Sequence, residues 1–317
     1  MMGYFPHPYP DEIFYSVCAR YVSHMGFRVQ SNICQSLVGT VQGTIGLDLP
    51  NNLNYLFSQL PSGYGVSVDD VIDKWTLFNC FAPFLGEQRA EELRLSMGGA
   101  SRKNSLKTGI VSGRVPCLDY LRYCPRCNAE DVKAHGEPYW HRVHQIQGVE
   151  VCPKHGALLR ENSERMSWRG LLPCKSFVNL DCSQHETTEL TKTERALLRK
   201  IASGLEWLLK NGPSIKTPRT IRSHYAALIK KRTIFRLGKT IHFEVLRQQI
   251  SESYPKRILQ RLHCECDYLT HKGWVSALFN CNQRFQAPVR HVLLMDFLGY
   301  SPKRFFESIG SVAPIFP

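Results

Sequence analysis

Two short strings constrain this chain more than anything else in it: Cys124-Pro125-Arg126-Cys127 and, after 24 intervening residues, Cys152-Pro153-Lys154-His155. Each places two soft donors at knuckle spacing on a tight turn, so that both can reach one tetrahedral ion through sulfur or imidazole nitrogen. Zinc is the expected metal. All four positions are filled by side chains, with none left for a reactive water, so the pattern predicts a structural clamp and not a hydrolytic centre. His135, His141 and His144 lie between the pairs and are alternative fourth ligands to His155. None of the three has a cysteine at knuckle spacing, which favours His155.

A chain of 317 residues with 43% hydrophobic and 21% charged residues has the composition of a globular protein and is long enough for two or three domains. The start, MMGYFPHPYPDEIF, lacks the basic opening and apolar core of a signal peptide, and no apolar run is long enough to span a bilayer. The expected location is the cytoplasm. There the 12 cysteines are read as metal ligands and buried thiols and not as disulfides.

The net charge of +13 is unevenly spread. Residues 1–160 carry 15 Lys and Arg against 14 Asp and Glu, whereas residues 161–317 carry 25 against 13. Between Glu206 and Glu244 no acidic residue occurs, while Lys210, Lys216, Arg219, Arg222, Lys230, Lys231, Arg232, Arg236 and Lys239 all do. Such a cluster predicts a footprint on nucleic-acid phosphates, although a solvated basic face has the same composition.

Periodicity predicts a mainly α fold in three parts. Residues 1–115 read as a helical N-terminal domain: Ile13, Phe14, Val17, Cys18, Tyr21 and Val22 recur at helical spacing before Gly26, and a second pattern from Val68 to Met97 is divided at Pro83 and Gly86. Residues 116–188 are poor in periodic runs and rich in Cys, Pro and Gly, as in a small zinc-ribbon-like module. Residues 189–317 read as a basic helical DNA-binding domain. In it, Thr191 and Glu194 have capping-box spacing, and a helix from Pro218 sets Arg219, Ser223 and Lys230 opposite an apolar face. A helix through Phe243 to Ile250, a turn, and a second helix from Pro255 carrying Lys256, Arg257, Gln260 and Arg261 fit a helix-turn-helix. An ordinary helical hairpin has the same pattern. Candidate DNA contacts are therefore Lys216, Arg219, Arg222, Ser223, Lys230, Lys231, Arg232, Lys256, Arg257, Gln260, Arg261, Arg284 and Arg290. Tyr4, Phe5 and Tyr9, in a nearly neutral segment, are read either as an exposed aromatic surface for a protein partner or as a staple that holds the N-terminal arm onto its own core.

No GxxxxGK[ST] string and no nucleophile–base pair stands out, so the chain reads as a binder without catalytic residues. Asp69, Asp70 and Asp73 fit the acidic first turn of a helix. Two other classes share some of these features: a zinc-containing helix-turn-helix transcription regulator, and a metal-dependent nuclease using His141 or His144.

Several strings together carry a family resemblance. They are Phe5-Pro6 with Pro8-Tyr9-Pro10-Asp11-Glu12, Ser16 and Arg20; Thr76-Leu77-Phe78 with Ala82-Pro83-Phe84; and the stretch from Tyr123 through Glu137-Pro138-Tyr139-Trp140 and His144-Gln145 to Gly156. In these the chain resembles TniQ/TnsD proteins, the target-site selectors of bacterial transposons that work with a transposase complex and an AAA+ ATPase regulator. Trp274, Arg284 and Pro288 to Gly299 resemble the helical extension of TnsD members. The resemblance implies sequence-specific binding of a double-stranded DNA attachment site and recruitment of the AAA+ regulator, in the bacterial cytoplasm and in association with the nucleoid. TnsD members often run longer, so it also implies a short relative or an N-terminal portion. Some relatives have a second zinc knuckle; here Cys174, Cys182 and His185 offer only three clear ligands, and one zinc is expected.

Overall fold

The structure is a computed structural model of the full chain. It describes residues 2–27, 29–40, 45–99, 118–166, 190–213, 217–231, 236–237, 240–266, 273–279 and 286–309. The fold is mainly helical, as the sequence predicts, and the strands form two small antiparallel pairs among the described residues.

The first part contains α1 (Phe14–His24), α2 (Gln30–Val38), α3 (Leu53–Gln59), α4 (Val68–Trp75), α5 (Phe78–Leu85) and α6 (Glu87–Gly98). In α1 the expected apolar residues are buried, and Gly26 follows in a left-handed conformation. The long pattern from Val68 breaks at Gly86, as read, but Pro83 stays inside α5. The other break falls at Thr76 instead. Its hydroxyl donates to the Ile72 carbonyl at 2.6 Å and accepts from the Phe78 amide at 3.1 Å, closing α4 and opening α5 with one side chain. The Asp69–Asp70 pair does occupy a first turn, where Ser67 and Asp70 form a capping box.

Next come β1 (Tyr120–Tyr123), α7 (Pro125–His135), a single 3-10 turn at Val143–Gln145, and β2 (Arg160–Arg165), which pairs antiparallel with β1. The sequence reading of short strands and loops missed α7, an 11-residue helix begun by Pro125 at its first position and stopped by Gly136 in the left-handed region. Gln145 extends the sheet from the side: its Oε1 accepts from the Arg122 amide at 3.0 Å and its Nε2 donates to the Arg122 carbonyl at 2.7 Å.

The remaining helices are α8 (Lys192–Asn211), α9 (Pro218–Lys230), α10 (Phe243–Ser253), α11 (Lys256–Arg261), α12 (Trp274–Ala277), α13 (Pro288–Phe297) and α14 (Pro302–Ser308), with a two-residue ribbon, β3 (Arg236–Leu237) and β4 (Thr240–Ile241), after α9. The capping box of Thr191 and Glu194 opens α8, whose buried stripe of Leu198, Ile201, Leu205 and Leu208 makes it the central strut. Against it pack α5, α13 and α14. Close approach explains Gly204, where a Cβ would stand 2.8 Å from Val292 on α13. Gly148, at φ +90°, is likewise covered by the Val289 side chain. Buried apolar residues from Met2 to Phe306 form a single continuous core.

Candidate metal centre

The two knuckles meet as the spacing requires. Cys124 is the N-cap of α7 and Cys127 lies in its first turn, the end of a helix whose dipole favours negative charge. Hydrogen bonding with the thiols of Cys127 and Cys152 also holds the Cys124 thiol below its ordinary range. The second knuckle is a tight turn in which the Gly156 amide donates to the Cys152 carbonyl at 2.7 Å and the His155 amide points at Cys152 Sγ at 3.4 Å. Gly156, at φ +64°, supplies the left-handed residue that the turn needs.

The donor atoms of Cys124, Cys127, Cys152 and His155 all lie within 4.8 Å of one another and can hold a metal ion. His155 Nδ1 is 3.5 Å from Cys124 Sγ, 3.3 Å from Cys127 Sγ and 3.8 Å from Cys152 Sγ, and the sulfurs of Cys127 and Cys152 are 3.7 Å apart. A tetrahedron with metal–sulfur bonds of about 2.3 Å and a metal–nitrogen bond of about 2.0 Å has edges of about 3.8 and 3.5 Å, so the residues fit a four-coordinate ion. The other ring nitrogen, Nε2, lies 3.1 Å from Glu130 Oε1, whose second oxygen accepts from Lys154 Nζ at 2.6 Å. That outer contact fixes the ring with Nδ1 toward the sulfurs.

The alternative histidines lie elsewhere. His141 Nε2 meets Asp131 Oδ2 at 2.8 Å, and His135 stacks on Tyr9. His144 is buried with Nε2 4.0 Å from Cys127 Sγ, behind the donor set. Cys174, Cys182 and His185 lie outside the described residues.

The N-terminal signature forms a buried clasp onto this module. Glu12 is fully buried and accepts from Ser16 Oγ at 2.7 Å, Arg20 Nε at 3.0 Å and the Tyr9 amide at 2.8 Å. Arg20 continues to Glu137 at 3.0 Å and to the His7 carbonyl at 2.7 Å, while its guanidinium covers the Tyr9 ring. Ser16 Oγ in turn accepts from the Trp140 amide, and the Ile13 amide donates to the Trp140 carbonyl. Burial pushes the Glu12 carboxyl up, and the Arg20 guanidinium opposes that shift. The family resemblance marked these residues as a signature but did not pair Arg20 with Glu137, 117 positions away.

The aromatic start divides between the two sequence readings. Tyr4 is 43% accessible, but Phe5 is 4% accessible, packed among Phe14, Tyr21 and Tyr64. Tyr9 is half-buried between Arg20 and His135.

Of the basic candidates, Lys216, Arg232 and Arg284 lie outside the described residues. Arg219 and Lys231 are exposed at opposite ends of α9, with Arg222, Ser223 and Lys230 half-buried. Between them α9 is buried continuously from His224 to Ile229, so it presents no unbroken polar face. The predicted helix pair exists as α10 and α11, joined through Tyr254 and Pro255, but α11 has only six residues. Lys256 and Gln260 point to solvent, while Arg257 pairs with Glu194 and Arg261 Nε donates to Glu150 Oε2 at 2.6 Å. Glu150 also binds the buried Arg122 at 3.0 Å, tying α11 to the metal module. Arg290 is interior: it is 5% accessible, and its guanidinium donates to Gln286 Oε1 and the His263 carbonyl. Its position on the buried side of α13 is what the sequence could not reveal.

Among the described residues, no helix is long and apolar enough to cross a membrane. Two family models match the chain: TniQ over residues 3–159 and TnsD, described as Tn7-like transposition protein D, over residues 201–315. The transposon Tn7 transposition protein TnsD of Escherichia coli is 33% identical over 159 residues, a match spanning 50% of this chain and 31% of that protein. The first match ends just beyond the second knuckle and so encloses the whole donor set and the clasp around Arg20, while the second covers most of the basic helical part; the chain belongs to the TniQ/TnsD family.

Proposed function

We propose that this protein is a DNA-binding target-site selector of a Tn7-like transposition system. The observation that carries the reading is the order of the two matches: a TniQ segment holding a complete four-donor centre, followed by a TnsD segment in the basic half of the chain. Zinc is the ion assigned to the centre, because three thiolates and one imidazole at tetrahedral distances are its usual structural donor set. When bound, it cross-links the start of α7 to the Cys152 turn and supplies folding energy to the module.

In this reading residues 189–317 carry the DNA contacts. Arg219, Lys231, Lys256 and Gln260 are exposed there and suit phosphate or base contact. Residues 1–115 meet the AAA+ regulator, which passes the choice of site to the transposase complex, and Tyr4 is the accessible aromatic residue of the arm.

The test is selection of bound fragments from host genomic DNA by the purified full chain, followed by pull-down of the AAA+ regulator on the selected fragment. Enrichment of one site, with regulator retained only when this protein is present, is the expected result. Enrichment of promoter fragments with no response to the regulator points to a transcription factor and overturns the proposal.

A further inference from the structure

A cleft of about 940 Å³ separates the Cys152–Gly156 turn from α8 and the start of α14. Six cationic side chains line it: Arg126 inside the first knuckle, Lys192, Arg195, Arg199 and Lys200 along α8, and Lys303 on α14. All six are exposed. Asp296 is the one carboxylate among the lining residues, and it is already held by Lys200 at 2.5 Å and by the Tyr254 hydroxyl at 2.8 Å.

The two central arginines are positioned without losing charge. Arg199 donates from Nε to the Pro153 carbonyl and from Nη2 to the Lys154 carbonyl, both at 3.0 Å, and Arg195 donates to the Gly156 carbonyl at 3.2 Å. Carbonyls are neutral acceptors, so each guanidinium keeps its full positive charge while the metal knuckle fixes its place. Lys192, Arg195 and Arg199 follow the i, i+3, i+7 repeat of one helix face. At about 1.5 Å rise per residue they cover about 10 Å, the length of about three nucleotides at about 3.4 Å per nucleotide of one strand. A single phosphate would call for cations converging on one point. These are strung out in a row, as a chain of phosphates requires.

We propose that this cleft grips the sugar–phosphate backbone of DNA, and so sets the register of the helical half against the metal module. The inference rests on the DNA-binding reading above and adds to it a site whose cations come from the TniQ match (Arg126), the TnsD match (Lys303) and the stretch between them (Lys192 to Lys200). Backbone contacts carry no sequence information of their own, so the cleft supplies affinity and orientation while base reading lies elsewhere.

The experiment measures binding of the full chain to its selected duplex and to an unrelated duplex over a range of salt. It uses the combined variant Arg126→Gln, Lys192→Gln and Lys303→Gln, which spares Arg195 and Arg199 and therefore their hold on the second knuckle, and leaves all four metal donors in place. Metal content and melting temperature should match the parent protein. Affinity for both duplexes should fall in parallel, and the slope of log affinity against log salt should shrink by up to about 2.7, at about 0.9 for each phosphate no longer neutralised. The charge-preserving set Arg126→Lys, Lys192→Arg and Lys303→Arg should restore both. A parent protein that binds DNA while the glutamine variant keeps its affinity and slope overturns the cleft assignment and leaves the DNA-binding reading standing. Loss of binding to polyglutamate with DNA binding unchanged makes the cleft a site for an acidic protein and also overturns it. A parent protein that binds no duplex defeats the underlying reading, and the cleft assignment with it.

Discussion

His155 and Glu130 form a hydrogen-bonded pair, Nε2 to Oε1 at 3.1 Å, that turns the opposite ring nitrogen toward three cysteine sulfurs. The carboxylate is 51% accessible while the imidazole is nearly enclosed, so the contact acts on ring orientation from outside the donor set. Glu130→Gln should therefore lower metal affinity by about tenfold without unfolding the protein, since outer contacts of this kind contribute about 10- to 100-fold. Cys152→Ser should abolish stoichiometric metal and unfold the module, because metal binding and folding share about 10 kcal/mol or more of free energy at such sites. Elemental analysis with a competing chromophoric chelator measures both effects. Full zinc content in folded Cys152→Ser protein would refute the assignment.

The clasp of Glu12 and Arg20 makes a second prediction. Both side chains are almost wholly buried, at 0% and 3% accessibility, and Arg20 bridges Glu12 to Glu137 across the first two parts of the chain. Arg20→Met leaves Glu12 charged and unpaired in the interior, which should cost about 3–5 kcal/mol. Denaturant titration of the two proteins reads the difference directly. The same geometry predicts that removing residues 1–9 destabilises the fold, because Phe5 leaves the core and the Tyr9 amide leaves Glu12. Recruitment of a partner is better tested with Tyr4→Ala, which keeps Phe5 and the Tyr9 amide in place and removes, besides exposed ring surface, one hydrogen bond to His24 Nδ1 at 2.9 Å.

Gly148 meets Val289 where the metal module touches α13. An alanine there would stand in the left-handed region at φ +90° and place its Cβ 2.7 Å from Val289 Cβ. Gly148→Ala should destabilise by about 1–3 kcal/mol from backbone strain alone, with the overlap adding to it. Val289→Ala in the same chain removes the methyl that would stand 2.4 Å away and should recover part of the steric cost, leaving the Cβ–Cβ overlap and the strain, a coupling that a double-mutant cycle resolves. Purely additive effects would show that the contact does not exist in solution.

His291 sets a pH dependence. It is buried between the Phe84 ring, at 3.9 Å, and Tyr225, and burial pushes its pKa down to about 3 from the ordinary 6.5. In the unfolded chain the ring takes up a proton below pH 6.5, whereas in the folded chain it resists until about pH 3, so the unfolded state binds more protons over that interval. Folding stability should thus fall as pH drops from 6.5 toward 3, at about 1.4 kcal/mol per pH unit from this residue. His291→Phe should weaken that slope between pH 6.5 and 5. Urea midpoints at the two pH values decide it, and equal slopes for both proteins would exclude His291 as the source.

The amino-acid sequence determined what depends on neighbours a few residues apart. The knuckle spacing of Cys124 with Cys127 and Cys152 with His155, the capping box of Thr191 and Glu194, and the stop at Gly86 are all local chemistry, and each is found in the structure as read. Family membership was legible for the same reason, since its strings are short and specific. Tertiary structure alone decided which charges face water. Arg257 and Arg261 lie on the expected helix but are held by Glu194 and Glu150, 63 and 111 positions away, and Arg290 is turned into the core. Phe5 is drawn inward by Phe14, Tyr21 and Tyr64. A helical period shows that one face differs from the other, but burial depends on which elements pack against each face, and a basic residue looks the same in sequence whether a carboxylate, a carbonyl or solvent receives it. The cleft between Arg126 and Lys303 was hidden for that reason: its six cations come from three elements that only folding brings together.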